Sequence, residues 1–416
     1  MTPNDTKLRL QELSRTIAKA RAEGSDASDL IAQHQTLRRQ LTNGQHPPRK
    51  HGPPSLRLEV LTSLDGLPPT DYEDLLAESE TVSPFMTLNW LEPWYAAYGG
   101  DYDLHLVVVR QGDRLLAALP LMIGMERRHG LRRRVARFVG TGPGLRGNYF
   151  SMPLRSGAAE QTGDLLNEHL ESLLERVTLV LENLSPFADG LTTLRLLCRQ
   201  PHRAISLTTQ IGCVHGSLPD TFDKFIQSVP TATRRTSLRH GDAPLRQHGD
   251  VEYRVCRRSE QIPEFLDSLG RLSVQRRARE GQQSTWAVRQ NTEAREQVCA
   301  RFLADDRLRL ELLTYDKKPI AALIGFVYSN IYFCYNMALD QAFSDYQPGH
   351  LLLAWRIRQS IDEGLTGFNF LVGDADYKRQ YFRQVLPELT ATVLPSRGVQ
   401  HCFEGACQFL RGLRKL

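Results

Sequence analysis

Residues 308–340, LRLELLTYDKKPIAALIGFVYSNIYFCYNMALD, constrain the fold of this chain most tightly. Apolar and β-branched residues alternate through three runs. The breaks are Asp316-Lys317-Lys318 and Ser329-Asn330, residue types that accept the left-handed backbone of two-residue hairpin turns. An antiparallel three-strand meander follows. After it come Gln347-Pro348-Gly349-His350, an amphipathic segment with Leu353, Ile357 and Ile361 on one face, and the short apolar run GFNFLV. With a helix and a further strand following the meander, the class is mixed α/β.

The Gln-Pro-Gly start is suited to receive a ligand. Pro348 sets φ at helix entry without losing a needed hydrogen bond. Gly349 carries no side chain, so a ligand can approach the backbone there. First-turn N–H groups at the positive end of a helix form an anion site in outline. Gln347, Pro348, Gly349 and His350 are therefore the expected cofactor-binding residues. The competing reading is an ordinary loop before a helix.

The rest of the chain has a related texture. With 416 residues it exceeds one ordinary core. LHLVVVR and LLAALPLMIGM form a hairpin turning at Gly112-Asp113, followed by the arginine-rich RRHGLRRRVARFVG, an amphipathic helix at QTGDLLNEHLESLLERV and an expected strand at LTTLRLLC. A second α/β run begins near residue 219 with a basic helical segment. Residues 5–43 carry leucines at helical spacing, broken by EGSDASD, and predict an antiparallel helical hairpin. The expected organisation is 1–43 helical hairpin, 44–55 linker, 56–218 first α/β module, 219–395 second α/β module, and 396–416 a short basic amphipathic tail.

Composition excludes several classes. A hydrophobic share of 41% with 24% charged residues is that of a folded, water-soluble chain. The longest apolar run, Leu115–Met125, contains Pro120 and Gly124 and is too short to span a bilayer. Seven scattered cysteines without metal spacing read as reduced thiols, with no metal expected and a cytoplasmic location. The net charge of +5 suits an anionic partner without requiring one.

From about Asp220 to Arg383 these residues resemble the GNAT-type acyltransferase domain, more narrowly the CelD-like group, and are more distantly similar to Fem-type aminoacyl transferases. FMTLNWLEPWYAAYGG and FVGTGPGLRGNYF carry a weaker likeness in the first half. The resemblance implies two tandem GNAT-like modules with mixed, largely antiparallel sheets. It implies that the loop Gln347–His350 cradles the donor's pyrophosphate, and that acyl-CoA is the co-substrate. Gln-Pro-Gly-His departs from the arginine and paired glycines of the standard acetyl-CoA loop, which leaves the donor open between acyl-CoA and aminoacyl-tRNA. LSRTIAKARAEGSDASDLIAQHQTLRRQL is similar to the helical arm of seryl-tRNA synthetases. That likeness would turn Arg15, Lys19, Arg21, Arg38 and Arg39 toward tRNA; a dimerisation or docking hairpin is the alternative.

Amine acylation needs an acid for the leaving group, oxyanion donors and a route for the amine proton. Asp374, Asp376 and Tyr377, at the end of GFNFLV, are the expected catalytic residues. Helix capping is the alternative for either aspartate, and a core-edge position for Tyr377 and for Tyr381. Arg235, Arg239 and Lys378 are expected to bind substrate, against solvated side chains. Six arginines within 127–137 are an expected tRNA or phosphate contact, against a hairpin rim. Trp90 and Trp94 read as core anchors. The leading expectation is acyl transfer from acyl-CoA to an amine or hydroxyl of a small-molecule or peptidyl acceptor. Alternatives are an aminoacyl-tRNA-dependent transferase and a noncatalytic RNA- or protein-binding module, with homodimerisation open.

Overall fold

The computed structural model describes residues 55–395 except 80–82, 129–130, 143, 200–203, 231, 280 and 282, together with Arg9 and Gln33. The expected hairpin, linker and basic tail, including Arg15, Lys19, Arg21, Arg38 and Arg39, lie outside the described residues. The chain divides into two units, within His51–Ile211 and Pro387–Leu416, and within Gly212–Leu386. The boundary thus falls inside a strand at Gly212, and the segment from Pro387 returns to the first unit.

In the first unit, β1 (Leu56–Leu61), α1 (Pro69–Glu78) and α2 (Leu88–Tyr98) precede β2 (Tyr102–Gln111), β3 (Arg114–Arg128) and β4 (Leu131–Phe138). Then come α3 (Ala159–Leu173), β5 (Thr178–Leu184), α4 (Ala188–Cys198) and the start of β6 (Ile205–Ser217). Strands β1 to β4 are antiparallel in sequence order, β4 and β5 are parallel, and the end of β12 (Gln384–Val393) pairs antiparallel with β5. Gly112 takes φ 61° at the β2–β3 turn, as the tight hairpin requires. Trp90 and Trp94 are fully buried.

The sequence LTTLRLLC forms the end of a helix, α4, not the expected strand. Thr192 and Thr193 return their hydroxyls to the carbonyls of Ala188 and Asp189, 2.9 and 3.0 Å away. These bonds offset the extended preference of β-branched residues, and Leu194 and Leu197 share the buried face.

The second unit contains the end of β6, then α5 (Phe222–Ser228), α6 (Ala232–His240), α7 (Ala243–Arg246), β7 (Val251–Val255), α8 (Ile262–Arg279) and α9 (Arg289–Ala304). The meander follows as β8 (Leu308–Tyr315), β9 (Lys318–Tyr328) and β10 (Ile331–Leu339), with Asp316, Lys317, Ser329 and Asn330 all at positive φ in its turns. Next are α10 (Pro348–Asp362), β11 (Gly367–Val372), α11 (Asp376–Arg379) and the start of β12. Strand order is β6-β11-β10-β9-β8-β7, with β10 and β11 the parallel pair. The helix expected across Asp376–Leu386 stops at Arg379. The consecutive aromatics Tyr381 and Phe382 are both buried, which one face of a helix does not provide.

Helix α10 packs against Leu323, Tyr332, Cys334, Phe368 and Phe370 on one face of this sheet. The other face takes α9, where Phe302 meets Phe326 with ring centroids 4.5 Å apart. Helix α8 packs on β9 and β10 and against α9. Beneath α10, the fully enclosed Glu311 accepts from Arg356 Nη1 at 2.6 Å, and Glu363 accepts from Nη2 at 2.6 Å. Losing one member of such a buried pair costs about 3–5 kcal/mol.

Candidate active site

Strands β10 and β11 hold parallel register only at Ile331–Phe333 against Gly367–Asn369. Beyond this point they part, for reasons legible in both strands. In β10 the register against β9 shifts between Cys334 and Asn336, which makes Tyr335 the extra residue of a β-bulge. In β11, Leu371 takes φ 56° and Gly373 φ 114°. The Leu371 N–H donates to Asn369 Oδ1 at 2.8 Å, and the Gly373 N–H donates to the Gly212 carbonyl on the β6 side. The end of β11 is thereby bound away from β10, and a gap opens in the sheet.

Lys378 holds this kink. Its ammonium donates to the carbonyls of Phe370 and Val372 at 2.9 and 3.0 Å, beneath Gly373, where a Cβ would lie 3.0 Å from Nζ. The residue is 7% exposed, and burial holds its pKa below the usual lysine value. The reading of Lys378 as a solvated lysine is corrected: it is an internal cation whose ammonium serves strand carbonyls.

Tyr377, one position earlier, lies at the same gap. Its ring meets Phe370 and His350, each at 6.2 Å between centroids. Burial foremost, then the nearby Cys334 thiol, raises its hydroxyl above the usual tyrosine pKa, against the pull of the Arg276 guanidinium. The group therefore stays protonated at neutral pH. Asp374 is engaged in a bidentate pair with Arg379, both contacts at 2.5 Å, and that hydrogen bond foremost holds its carboxyl below the usual range. Asp376 is exposed at the first position of α11. Neither aspartate caps the helix, because the N-cap is Ala375.

The mouth of α10 differs from the expected main-chain anion cradle. Gln347 takes φ 51° and ψ 51°, and its carbonyl accepts from the N–H groups of His350 and Leu351 at 2.9 and 3.1 Å. Pro348 has no N–H. Gly349 N–H is then a first-turn main-chain donor without an acceptor among the described residues. A Cβ on Gly349 would sit 2.9 Å from Leu339 Cδ2 and 3.3 Å from Met337 Cε. The missing side chain thus admits β10, and the expectation that it clears space for a ligand is corrected.

The charge at this mouth comes from a side chain. Arg234 donates from Nη1 to Gln347 Oε1 at 3.2 Å and from Nη2 to Gln380 Oε1 at 2.6 Å, and Nη2 lies 2.9 Å from His350 Nε2. A guanidinium only donates, so His350 Nε2 accepts and Nδ1 carries the hydrogen. His350 Nδ1 is 2.7 Å from Tyr381 Oη and donates to it. Burial, then Arg234, lowers the His350 pKa to about 4. The neighbouring arginines expected to bind substrate lie elsewhere: Arg235 donates to the Val229 carbonyl at 2.7 Å, and Arg239 is exposed. Sequence reading placed the basic helix correctly and missed Arg234, the member that turns inward.

The arginine run at 127–137 also divides. Arg137 is bound by Glu126 and Glu182, Arg133 is buried, and Arg127, Arg132 and Arg134 are exposed. In the first unit the gap beyond the parallel β4–β5 pairing is filled by Phe150. Its N–H donates to the Asn183 carbonyl and its carbonyl accepts from Ser185 N–H, both at 2.8 Å. The open gap described here belongs to the second unit. Among the described residues no group of three or more His, Cys, Asp or Glu is placed to hold a metal ion, and no helix is long and apolar enough to cross a membrane.

No curated protein matches the chain in sequence. The crystal structure of FemX is similar in fold, with a TM-score of 0.54 at 9% identity, over 78% of this chain and 96% of that one. A conserved protein of unknown function from Bacteroides thetaiotaomicron is also similar, with a TM-score of 0.50 at 12% identity, over 81% of this chain and 100% of that one. Both likenesses concern the fold. A family described as acetyltransferase (GNAT) domain matches residues 232–379, the segment containing Arg234, the α10 mouth, the β10–β11 gap, Tyr377 and Lys378, so that this segment carries a GNAT domain.

Proposed function

We propose that the chain is an acyltransferase that moves an acyl group from acyl-CoA to an amine or hydroxyl acceptor at the β10–β11 gap. The observation that carries this reading is the parting of the two strands beside Tyr377, at the mouth of α10. The acyl carbonyl lies in the gap. The acceptor attacks it, forming the new C–N or C–O bond, and the C–S bond of the thioester breaks. Tyr377, kept protonated by burial, gives its proton to the departing thiolate and regains one from solvent. Lys378 positions the β11 carbonyls, and main-chain N–H groups at the bulge face the developing oxyanion. With Asp374 engaged by Arg379, Asp376 is the carboxylate available to hold an acceptor ammonium or take its proton.

The α10 mouth fits a phosphate-bearing donor through Gly349 N–H and the nearby Arg234, with His350 and Gln347 as its polar wall. The donor's anionic tail is therefore held largely by a side chain, in place of a row of main-chain donors. Aminoacyl-tRNA carries the same chemistry, an activated acyl group on a phosphate-bearing handle, and FemX shares the fold. A thermal-shift comparison of coenzyme A, acetyl-CoA and charged tRNA distinguishes the donors. Stabilisation by the coenzyme A compounds alone agrees with the proposal. Stabilisation by charged tRNA alone replaces the donor, and stabilisation by none favours a noncatalytic binding module.

A further inference from the structure

Arg234 is 7% exposed, and four side chains with no net charge surround its guanidinium. Nε and Nη2 donate to Gln380 Oε1 at 3.1 and 2.6 Å. Nη2 also donates to His350 Nε2 at 2.9 Å, and Nη1 donates to Gln347 Oε1 at 3.2 Å and to Ser237 Oγ at 3.3 Å. These contacts match in number the hydrogens that a guanidinium offers. A carboxylate at the Gln380 position would neutralise the cation. The amide there fixes the direction of the donors and leaves the charge in place.

The two amides differ in setting. Gln380 is half-buried at the end of α11, with its N–H bonded to the Tyr377 carbonyl at 3.3 Å, and it holds two nitrogens of the guanidinium. The next residue, Tyr381, is enclosed and bonds His350 Nδ1 at 2.7 Å. Gln347 is exposed at the α10 mouth and holds Nη1 alone, by a longer contact. The exposed amide is the one that an incoming anion reaches from solvent, and Gln380 is anchored between Tyr377 and Tyr381.

We infer that Gln380 is a positioning residue that aims Arg234 at the donor's phosphate without neutralising it, and that the phosphate takes the place of Gln347 at Nη1. The inference rests on the acyl-transfer reading for the word donor. One neutral contact at Nη1 is exchanged for a charge-assisted one, which is shorter and stronger. The segment from Tyr377 to Tyr381 thus carries both the acid and the anchor of the donor's grip.

The probes are coenzyme A and inorganic pyrophosphate, titrated by calorimetry into full-length protein. Gln380→Glu keeps the size and reach of the acceptor and sets a carboxylate against Arg234. It is expected to weaken binding of either probe by roughly 10- to 100-fold while Tm holds or rises, and to flatten the fall of affinity with added salt. A residue with only a structural role would lose affinity in step with stability. Gln347→Gly suits the left-handed backbone at that position and removes the displaced amide, so each probe binds at least as tightly as to wild type. Undiminished binding by Gln380→Glu, a loss accompanied by a lowered Tm, weaker binding by Gln347→Gly, or binding of neither probe by wild type overturns the inference. Pyrophosphate binding that Gln380→Glu weakens, in a protein that does not bind coenzyme A, removes acyl-CoA as the donor and leaves the inference intact. Acyl transfer from acetyl-CoA by a Gln380→Glu protein that binds coenzyme A as tightly as wild type does the reverse.

Discussion

Arg234 Nη2 and His350 Nε2 meet at 2.9 Å, and this contact fixes the proton on the other nitrogen of the imidazole. A donor facing Nε2 excludes a hydrogen there, so Nδ1 bonds Tyr381. Because the His350 pKa is lowered to about 4, the folded state resists its protonation. The stability from this group is present above its unfolded pKa and is lost as pH falls from about 6.5 through 4. We expect His350→Gln to reduce acid destabilisation in that window by about 1–2 kcal/mol after solvent screening. Denaturant unfolding at pH 7 and pH 5 checks this, with a loss of equal size in both proteins as the contrary result.

Lys378→Met removes the ammonium from the Phe370 and Val372 carbonyls and leaves both without their donor. We expect a stability loss of about 2–4 kcal/mol, because two enclosed acceptors are left unsatisfied. The effect on acyl transfer should exceed the effect on donor binding, because the lysine shapes the gap and does not face the α10 mouth. Urea unfolding together with donor titration tests both parts.

At Gly349 the expected defect is one of packing. Gly349→Ala should cost about 1–3 kcal/mol through contact with Leu339 and Met337. Leu339→Ala in the same chain should recover part of the Gly349→Ala penalty, a coupling that a double-mutant cycle reads directly. Simple additivity would show that the two side chains do not compete for space.

Glu388 is fully buried in the first unit, accepting from Tyr149 N–H at 2.7 Å and Asn148 Nδ2 at 2.8 Å. Burial, against these two hydrogen bonds, raises its pKa to about 7. For a carboxyl with a raised folded pKa, the contribution to stability is present below about 4.5 and is lost as pH rises through 7. Rotation of the Asn148 amide would let it accept the added proton. Glu388→Gln should remove roughly 2–3 kcal/mol of that pH dependence. Unfolding free energies of variant and wild type between pH 4.5 and 8 measure it, and parallel curves would contradict it.

The meander and the GNAT resemblance were legible in sequence for a local reason. Asp316-Lys317 and Ser329-Asn330 specify their turns within a few residues, and strand alternation specifies the faces between them. The helix start at Pro348 was legible in the same way. What Gly349 excludes was not, because Leu339 and Met337 reach it only after β10 has folded past the bulge. Arg234, Arg235 and Arg239 are chemically alike in sequence. Which one turns inward depends on Gln380, far along the chain, and no local signal records that contact. Lys378 follows the same logic: its two acceptors lie six and eight residues earlier, reachable only through the left-handed turns at Leu371 and Gly373. The segment at 191–198 misled because leucines and threonines suit either period, and the threonine hydroxyls decided for helix.

The central claim is that the β10–β11 gap transfers an acyl group with Tyr377 as acid. The most direct measurement compares Tyr377→Phe with wild type for donor affinity and for the single-turnover rate of acyl transfer. Donor affinity should be unchanged and the rate lower by roughly 10²- to 10⁴-fold. Acyl transfer by Tyr377→Phe at the wild-type rate would contradict it.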